Sequence, residues 1–194
     1  MEASFYHTHV LCLPVRMRWF ASLMVFLAGC AHTGALEDGV LHKDGVAVRL
    51  GPVPRSWERI RVDGADVAYR DQQQQGSALF DLRCNGRDGD APLSALTQHL
   101  IMGTTERDFV SEDTVPFDGR EALHTVLSAK LDGVPMQYDI FVMKKDGCVY
   151  DLVYVAPPDH FKQGASDFER FAGALHAESP PLSVGATRPG SSDP

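Results

Sequence analysis

The side chains that could act as nucleophiles, bases or metal ligands are few and dispersed. His124 and Ser128 stand four residues apart in an alternating run, so a strand would put both on one face. A serine nucleophile needs a base within hydrogen-bond reach and an acid to orient that base. No special turn presents Ser128. Metal binding requires clustered His, Asp, Glu or Cys. His99, His124, His160 and His176 stand singly, and Asp159-His160, in the loop expected beside Pro157-Pro158, is the one local pair. Glu112-Asp113 would point to opposite faces of a strand, which does not suit shared acid–base chemistry. The phosphate-loop pattern Gly-x-x-x-x-Gly-Lys does not occur. No catalytic, metal or cofactor site is predicted. What remains is sulfur: Cys12, Cys30, Cys84 and Cys148.

Cys30 has the most informative setting. An apolar run from Trp19 to Ala28 follows Arg16 and Arg18 and closes on small residues just before this cysteine. A basic start, a short apolar centre and a small-residue cleavage region make a secretory signal. A membrane-spanning helix would need roughly 20 apolar residues, and the run supplies half of that before His32, Glu37 and Asp38 intervene. The ending Leu27-Ala28-Gly29-Cys30 resembles the lipobox of bacterial lipoproteins. The resemblance implies that residues 1–29 are a cleaved signal peptide and that Cys30 carries diacylglycerol. It also implies that the acyl chains (palmitate among them) are the sole membrane contact. Ala31 stands where aspartate would favour inner-membrane retention, which points to the outer membrane, facing the periplasm, in a Gram-negative cell. The start is open among Met1, Met17 and a site upstream.

Composition narrows the partners. The chain carries 18 Lys+Arg against 26 Asp+Glu, a formal charge of −8. Residues 1–29 hold Glu2, Arg16 and Arg18, so the 165 residues from Cys30 onward carry −9. An acidic chain without a basic cluster argues against nucleic-acid binding, which works by releasing counterions from phosphates. It argues equally against a polybasic grip on anionic lipid. Stable anchoring then rests on two or more acyl chains. With Cys12 removed and Cys30 lipidated, Cys84 and Cys148 remain. In an exported protein such a pair reads as a disulfide, the alternative being two separate buried thiols.

The rest of the chain supplies one domain. Residues 30–39 read as a tether, and Asp44-Gly45 turns an opening hairpin. Pro52 and Pro54 mark a loop. Val67 to Asp71 and Ser77 to Cys84 are strands joined by a solvated tip of four glutamines. Asp90 and Pro92 open a helix carrying Leu93, Leu96, Leu100 and Ile101 on one stripe. Strands over 107–115, 121–131, 134–144 and 148–156 are joined by turns containing Asp118-Gly119, Asp132-Gly133 and Asp146-Gly147. The last is apolar on both faces, as a doubly covered central strand would be. Ser166 and Glu169 form a capping-box pair for a second helix with Phe168, Phe171, Ala172 and Leu175 buried. Residues 177–194 read as a disordered tail.

This order, with Pro54-Arg55-Ser56-Trp57 after the first hairpin, the turn Asp118-Gly119 and the closing Phe168 and Phe171, resembles the PsbP/DcrB-like family over roughly Val40 to His176. The resemblance implies an α+β fold, an α/β/α sandwich on a mostly antiparallel sheet, in a domain over residues 40–176. It implies accessory or assembly roles and carries over no catalytic residue. The expectation is an exported, lipid-anchored accessory protein of the bacterial cell envelope. It would act through contact with an unidentified envelope protein, without catalysis. The alternative is a module holding a small apolar ligand between sheet and helix. Phe80, Tyr138, Phe141, Tyr150, Tyr154 and Phe161 admit both readings, as core or as pocket lining.

Overall fold

The computed structural model describes residues 34–84, 86 and 88–178. The expected signal peptide, Cys30 and residues 179–194 of the expected tail lie outside them. In chain order the first strands are β1 (Ala35–Glu37), β2 (Val40–Lys43), β3 (Val46–Arg49), β4 (Trp57–Ile60), β5 (Val67–Asp71) and β6 (Gly76–Arg83). Helix α1 (Leu93–Leu100) precedes β7 (Thr104–Phe117), β8 (Arg120–Leu131), β9 (Val134–Lys145) and β10 (Cys148–Ala156). Helix α2 (Pro158–Gly173) and β11 (His176–Glu178) close the chain. At Asp38-Gly39, Asp44-Gly45, Asp118-Gly119, Asp132-Gly133 and Asp146-Gly147 both residues have positive φ. That geometry matches the right-handed twist of the strands it joins, which is why each Asp-Gly makes a tight hairpin.

Seven strands form one antiparallel sheet in the order β4-β5-β6-β10-β9-β8-β7, and a second sheet runs β1-β2-β3-β11. Both ends of the expected domain are extended. Asp38-Gly39 folds Ala35–Glu37 back on β2, so part of the expected tether is a strand. At the other end, Ala177 and Glu178 pair with Val48 and Ala47, which puts the first two residues of the expected tail in the small sheet.

The large sheet has two dissimilar faces. One is covered by α2 and the small sheet, over a core that includes Leu41, Val48, Phe80, Tyr150, Tyr154, Phe168 and Phe171. Full burial of each such side chain contributes roughly 1.5–3 kcal/mol. The other face carries Leu127, Tyr138, Ile140, Val142 and Val149 against Leu96 and Ile101. β10 lies between the two cores, as its apolar run predicts. This is the expected α+β architecture.

Both helix starts differ from expectation. Helix α2 begins at Pro158, not near Ser166, because proline at the first position gives up an N–H that has no intrahelical partner anyway. Ser166 is therefore mid-helix, where its Oγ accepts from Arg170 Nη1 at 3.2 Å. Asp159 and His160 fall in the first turn of α2 instead of a loop. Pro92 stands at the N-terminus of α1 with no side-chain cap, so Asp90 does not play the capping role. Among the described residues no helix is long and apolar enough to cross a membrane.

Candidate functional site

The site arises from unequal coverage of the sheet. Helix α2 has 16 residues, whereas α1 has eight and spans about 12 Å. Helix α1 packs over β8 and β9 and leaves the outward face of β6 and β10 partly open. The opening is a groove of about 240 Å³, bounded by the 63–65 turn on one side and by Leu100 and Met102 on the other. Leu79, Val153 and Val155 line it with apolar surface, and Asp63, Asp81, Thr104, Tyr138 and Asp151 contribute the polar groups.

One of those polar groups is unusual in its burial. Asp151 is 2 % exposed and sits within the otherwise apolar β10. It lies directly opposite Asp81 of β6 in the strand register. Two aspartates in such a position repel unless a cation intervenes. Arg83 supplies it: its Nη1 donates to Asp81 Oδ2 at 2.8 Å and forms an ion pair with Asp151 Oδ2. Burial raises Asp151 to about 6 against the pull of Arg83. Burial likewise raises Asp81, opposed by its hydrogen bond from Arg83. Burial works against the Arg83 charge, but Asp151 and Asp81 outweigh it and hold the guanidinium above its ordinary value. Among the described residues, Asp151 Oδ1 and the Tyr138 hydroxyl have no hydrogen-bond partner.

The residues singled out from sequence are distributed elsewhere. Cys84 and Cys148 form a disulfide with a Cα–Cα distance of 4.2 Å, directly across the β6–β10 pair. His124 and Ser128 do share a face but not a task. His124 Nε2 lies 2.7 Å from Asp139 Oδ1, while Ser128 Oγ accepts from Gln137 Nε2 at 3.1 Å. His160 Nε2 lies 3.3 Å from Gln75 Nε2, and His176 Nδ1 lies 2.8 Å from Asp118 Oδ1. Glu112 pairs with Thr125 and Asp113 with His124, which places the two acids on opposite faces. The aromatic set divides: Phe80, Phe141, Tyr150, Tyr154 and Phe161 belong to the core under α2, and Tyr138 alone lines the groove. Asp81, Arg83 and Asp151 were missed. The signal for Asp151 was available, because it interrupts the otherwise apolar β10, whereas Asp81 shares the half-exposed face of β6 with Ser77 and Arg83.

No family model matches the chain, and no curated protein matches it. Solved structures do. The chain is similar to the cyanobacterial PsbP protein (CyanoP) of Synechocystis sp. PCC 6803, at 14% identity and a TM-score of 0.53, over 70% of this chain and 88% of that one. It is also similar to LpqN of Mycobacterium tuberculosis, described as involved in cell envelope biogenesis, at 15% identity and a TM-score of 0.50. That match covers 69% of this chain and 84% of LpqN. The shared property at this level of identity is the fold: a PsbP-like arrangement of antiparallel sheet and packed helices.

Proposed function

We propose that this chain is an exported, lipid-anchored accessory protein of the bacterial cell envelope, held to the membrane by acyl chains on Cys30 and acting through protein contacts. The observation that carries the contact role is an apolar rim on the α1 side of the sheet. Met102 is 65 % exposed and Val134 56 % exposed. Val134 pairs with the half-exposed Leu131 at the end of the β8–β9 hairpin. Solvent-facing apolar groups gathered at one edge mark a surface that another molecule covers. The leader supports the envelope address, and a fold of this kind in an envelope-biogenesis protein, LpqN, accords with it. In a cell with two membranes, Ala31 favours the outer one. Of the side chains considered for nucleophilic attack, Cys84 and Cys148 are joined in the disulfide and Ser128 Oγ accepts from Gln137 Nε2.

The test is a photo-crosslinking amino acid placed at Val134 in the full chain, irradiated in native envelopes. One discrete adduct with a second protein is expected, with none from the same group placed at exposed Asp108 on the edge strand. Equal, diffuse labelling from both positions would remove the apolar rim from consideration.

A second reading is favoured by the groove itself. Its volume and apolar lining suit a small ligand held between sheet and helix, with Tyr138 in the wall.

A further inference from the structure

Three properties of the groove beside α1 bear on what it would hold, and all three rest on the ligand-binding reading just given. First, the charged side chains lining it are Asp63, Asp81 and Asp151, and among the described residues no basic side chain joins them. Arg83 reaches Asp81 and Asp151 without being part of the lining, and Lys43 lies between Asp66 at 2.8 Å and Asp81 at 3.8 Å. Second, Asp151 is 2 % exposed and its Oδ1 accepts no hydrogen bond from any described residue. A buried carboxylate oxygen without a donor costs about 1–3 kcal/mol or more, a cost that a donor arriving in the groove would remove. Third, the apolar floor has a direction. Val153 and Val155 follow Asp151 on the same face of β10, and Tyr138 stands opposite Val155. At about 3.3 Å per residue, the trough runs roughly 13 Å from the carboxylate to the phenol-bearing end.

We propose that this groove binds a small amphipathic organic cation, its ammonium head donating to Asp151 Oδ1 and its alkyl body laid along Val153 and Val155. The head is a donor because the vacant atom is a carboxylate oxygen, which accepts only. It is cationic because an acidic lining repels an anion and leaves a neutral donor without electrostatic gain. A body of about eight carbons matches the length of the floor. The Tyr138 hydroxyl, buried and also without a partner, marks the far end, where it can bond a second polar group or stay unused by a plain alkyl chain.

The test compares three eight-carbon probes at pH 7.5 by titration calorimetry: octylamine, octan-1-ol and sodium octanoate. The protein is the full chain bearing Cys30→Ser, so that no acyl chain competes for the groove. Octylamine should bind about tenfold more tightly than octanol, and octanoate more weakly than either. Asp151→Asn should bring octylamine down to the octanol level while leaving octanol unchanged. Should Asp151→Asn fail to fold for want of the Arg83 partner, Asp81→Asn, at a more exposed carboxylate, should still weaken octylamine at least threefold. Val153→Trp, which fills the trough, should abolish binding of all three. Equal affinities for the three probes, or discrimination that survives both aspartate variants, would overturn the cation assignment and leave the apolar-ligand reading standing. Absence of any binding that Val153→Trp removes would overturn both.

Discussion

His124 Nε2 lies 2.7 Å from Asp139 Oδ1 on the neighbouring strand, and the imidazole stacks on Phe141 with ring centroids 4.1 Å apart. Asp139 is 1 % exposed, so this contact lies inside the sheet. Burial works against the imidazolium, but Asp139, with Glu169 and Asp113, outweighs it and raises His124 above its ordinary value. A raised folded-state pKa stabilises fully below the unfolded value, about 6.5, and that contribution fades as pH rises through the folded value. Urea denaturation of the wild type and His124→Gln should therefore differ most at mildly acidic pH and converge as pH rises above neutrality. A gap that stays constant across that range would mean that packing on Phe141, not charge, is what His124 contributes.

Asp118 has the opposite sign. Its Oδ2 accepts from Lys145 Nζ at 2.7 Å and from the Ala177 backbone N–H at 2.9 Å, and Oδ1 lies 2.8 Å from His176 Nδ1. Burial would raise this carboxyl, but Lys145, the Ala177 amide and His176 together hold it below the usual range. Its contribution is present above the unfolded value, about 3.9, and is lost as pH falls from there through the folded value. Asp118→Asn should cost roughly 1–3 kcal/mol at pH 7. Because Asp118 ties β11 to the β7–β8 turn, the loss should show first as faster amide exchange at Ala177. Unchanged exchange there would separate Asp118 from the anchoring of β11.

The Cys84–Cys148 bond closes a loop with a sequence separation of 64. Replacing both cysteines by serine should lower stability by about 4 kcal/mol in urea denaturation, on the chain-entropy model. Intact mass after alkylation should show no modification of either thiol until reductant is added. Free thiols in protein isolated without reductant would contradict the pairing.

Gly164 faces Tyr154 closely enough that a Cβ at this position would meet the phenol oxygen at 1.7 Å. That hydroxyl is held in place, since it donates to Asp71 Oδ2 at 3.1 Å inside the core. Alanine is about 1 kcal/mol better than glycine in a helix interior, yet overpacking typically costs 1–3 kcal/mol. Gly164→Ala should therefore destabilise or at best leave stability unchanged, as measured by thermal melting. A clear gain in melting temperature would show that α2 can shift away from the sheet.

Labelled palmitate should enter the wild-type chain and not Cys30→Ala. Equal incorporation in the two would remove the lipid anchor and, with it, the proposed mode of membrane attachment.

Local chemistry settled much of this molecule before any long-range contact was considered. Asp-Gly pairs can adopt positive φ at low cost, so the hairpins among β7, β8, β9 and β10 were legible residue by residue. Alternation along each strand separated the two faces, and the double apolar character of β10 placed it centrally. The cysteine pair followed from arithmetic and the expectation of export. Helix starts were less legible, because Ser166-Glu169 is a valid local capping pattern that competes with Pro158, and the burial of Phe161 and Ala165 goes with the start two turns earlier.

What the tertiary structure alone decided is the groove. Asp81 and Asp151 become neighbours only when β6 pairs with β10, and nothing local to either strand announces that pairing. The same register brings Arg83 between them. Whether Tyr138 belonged to the core or to a binding surface likewise depended on which face α1, with its eight residues, would fail to cover. Short-range sterics and hydrophobic periodicity are written along the chain; the meeting of buried charges is a product of distant segments and exists only in the folded sheet.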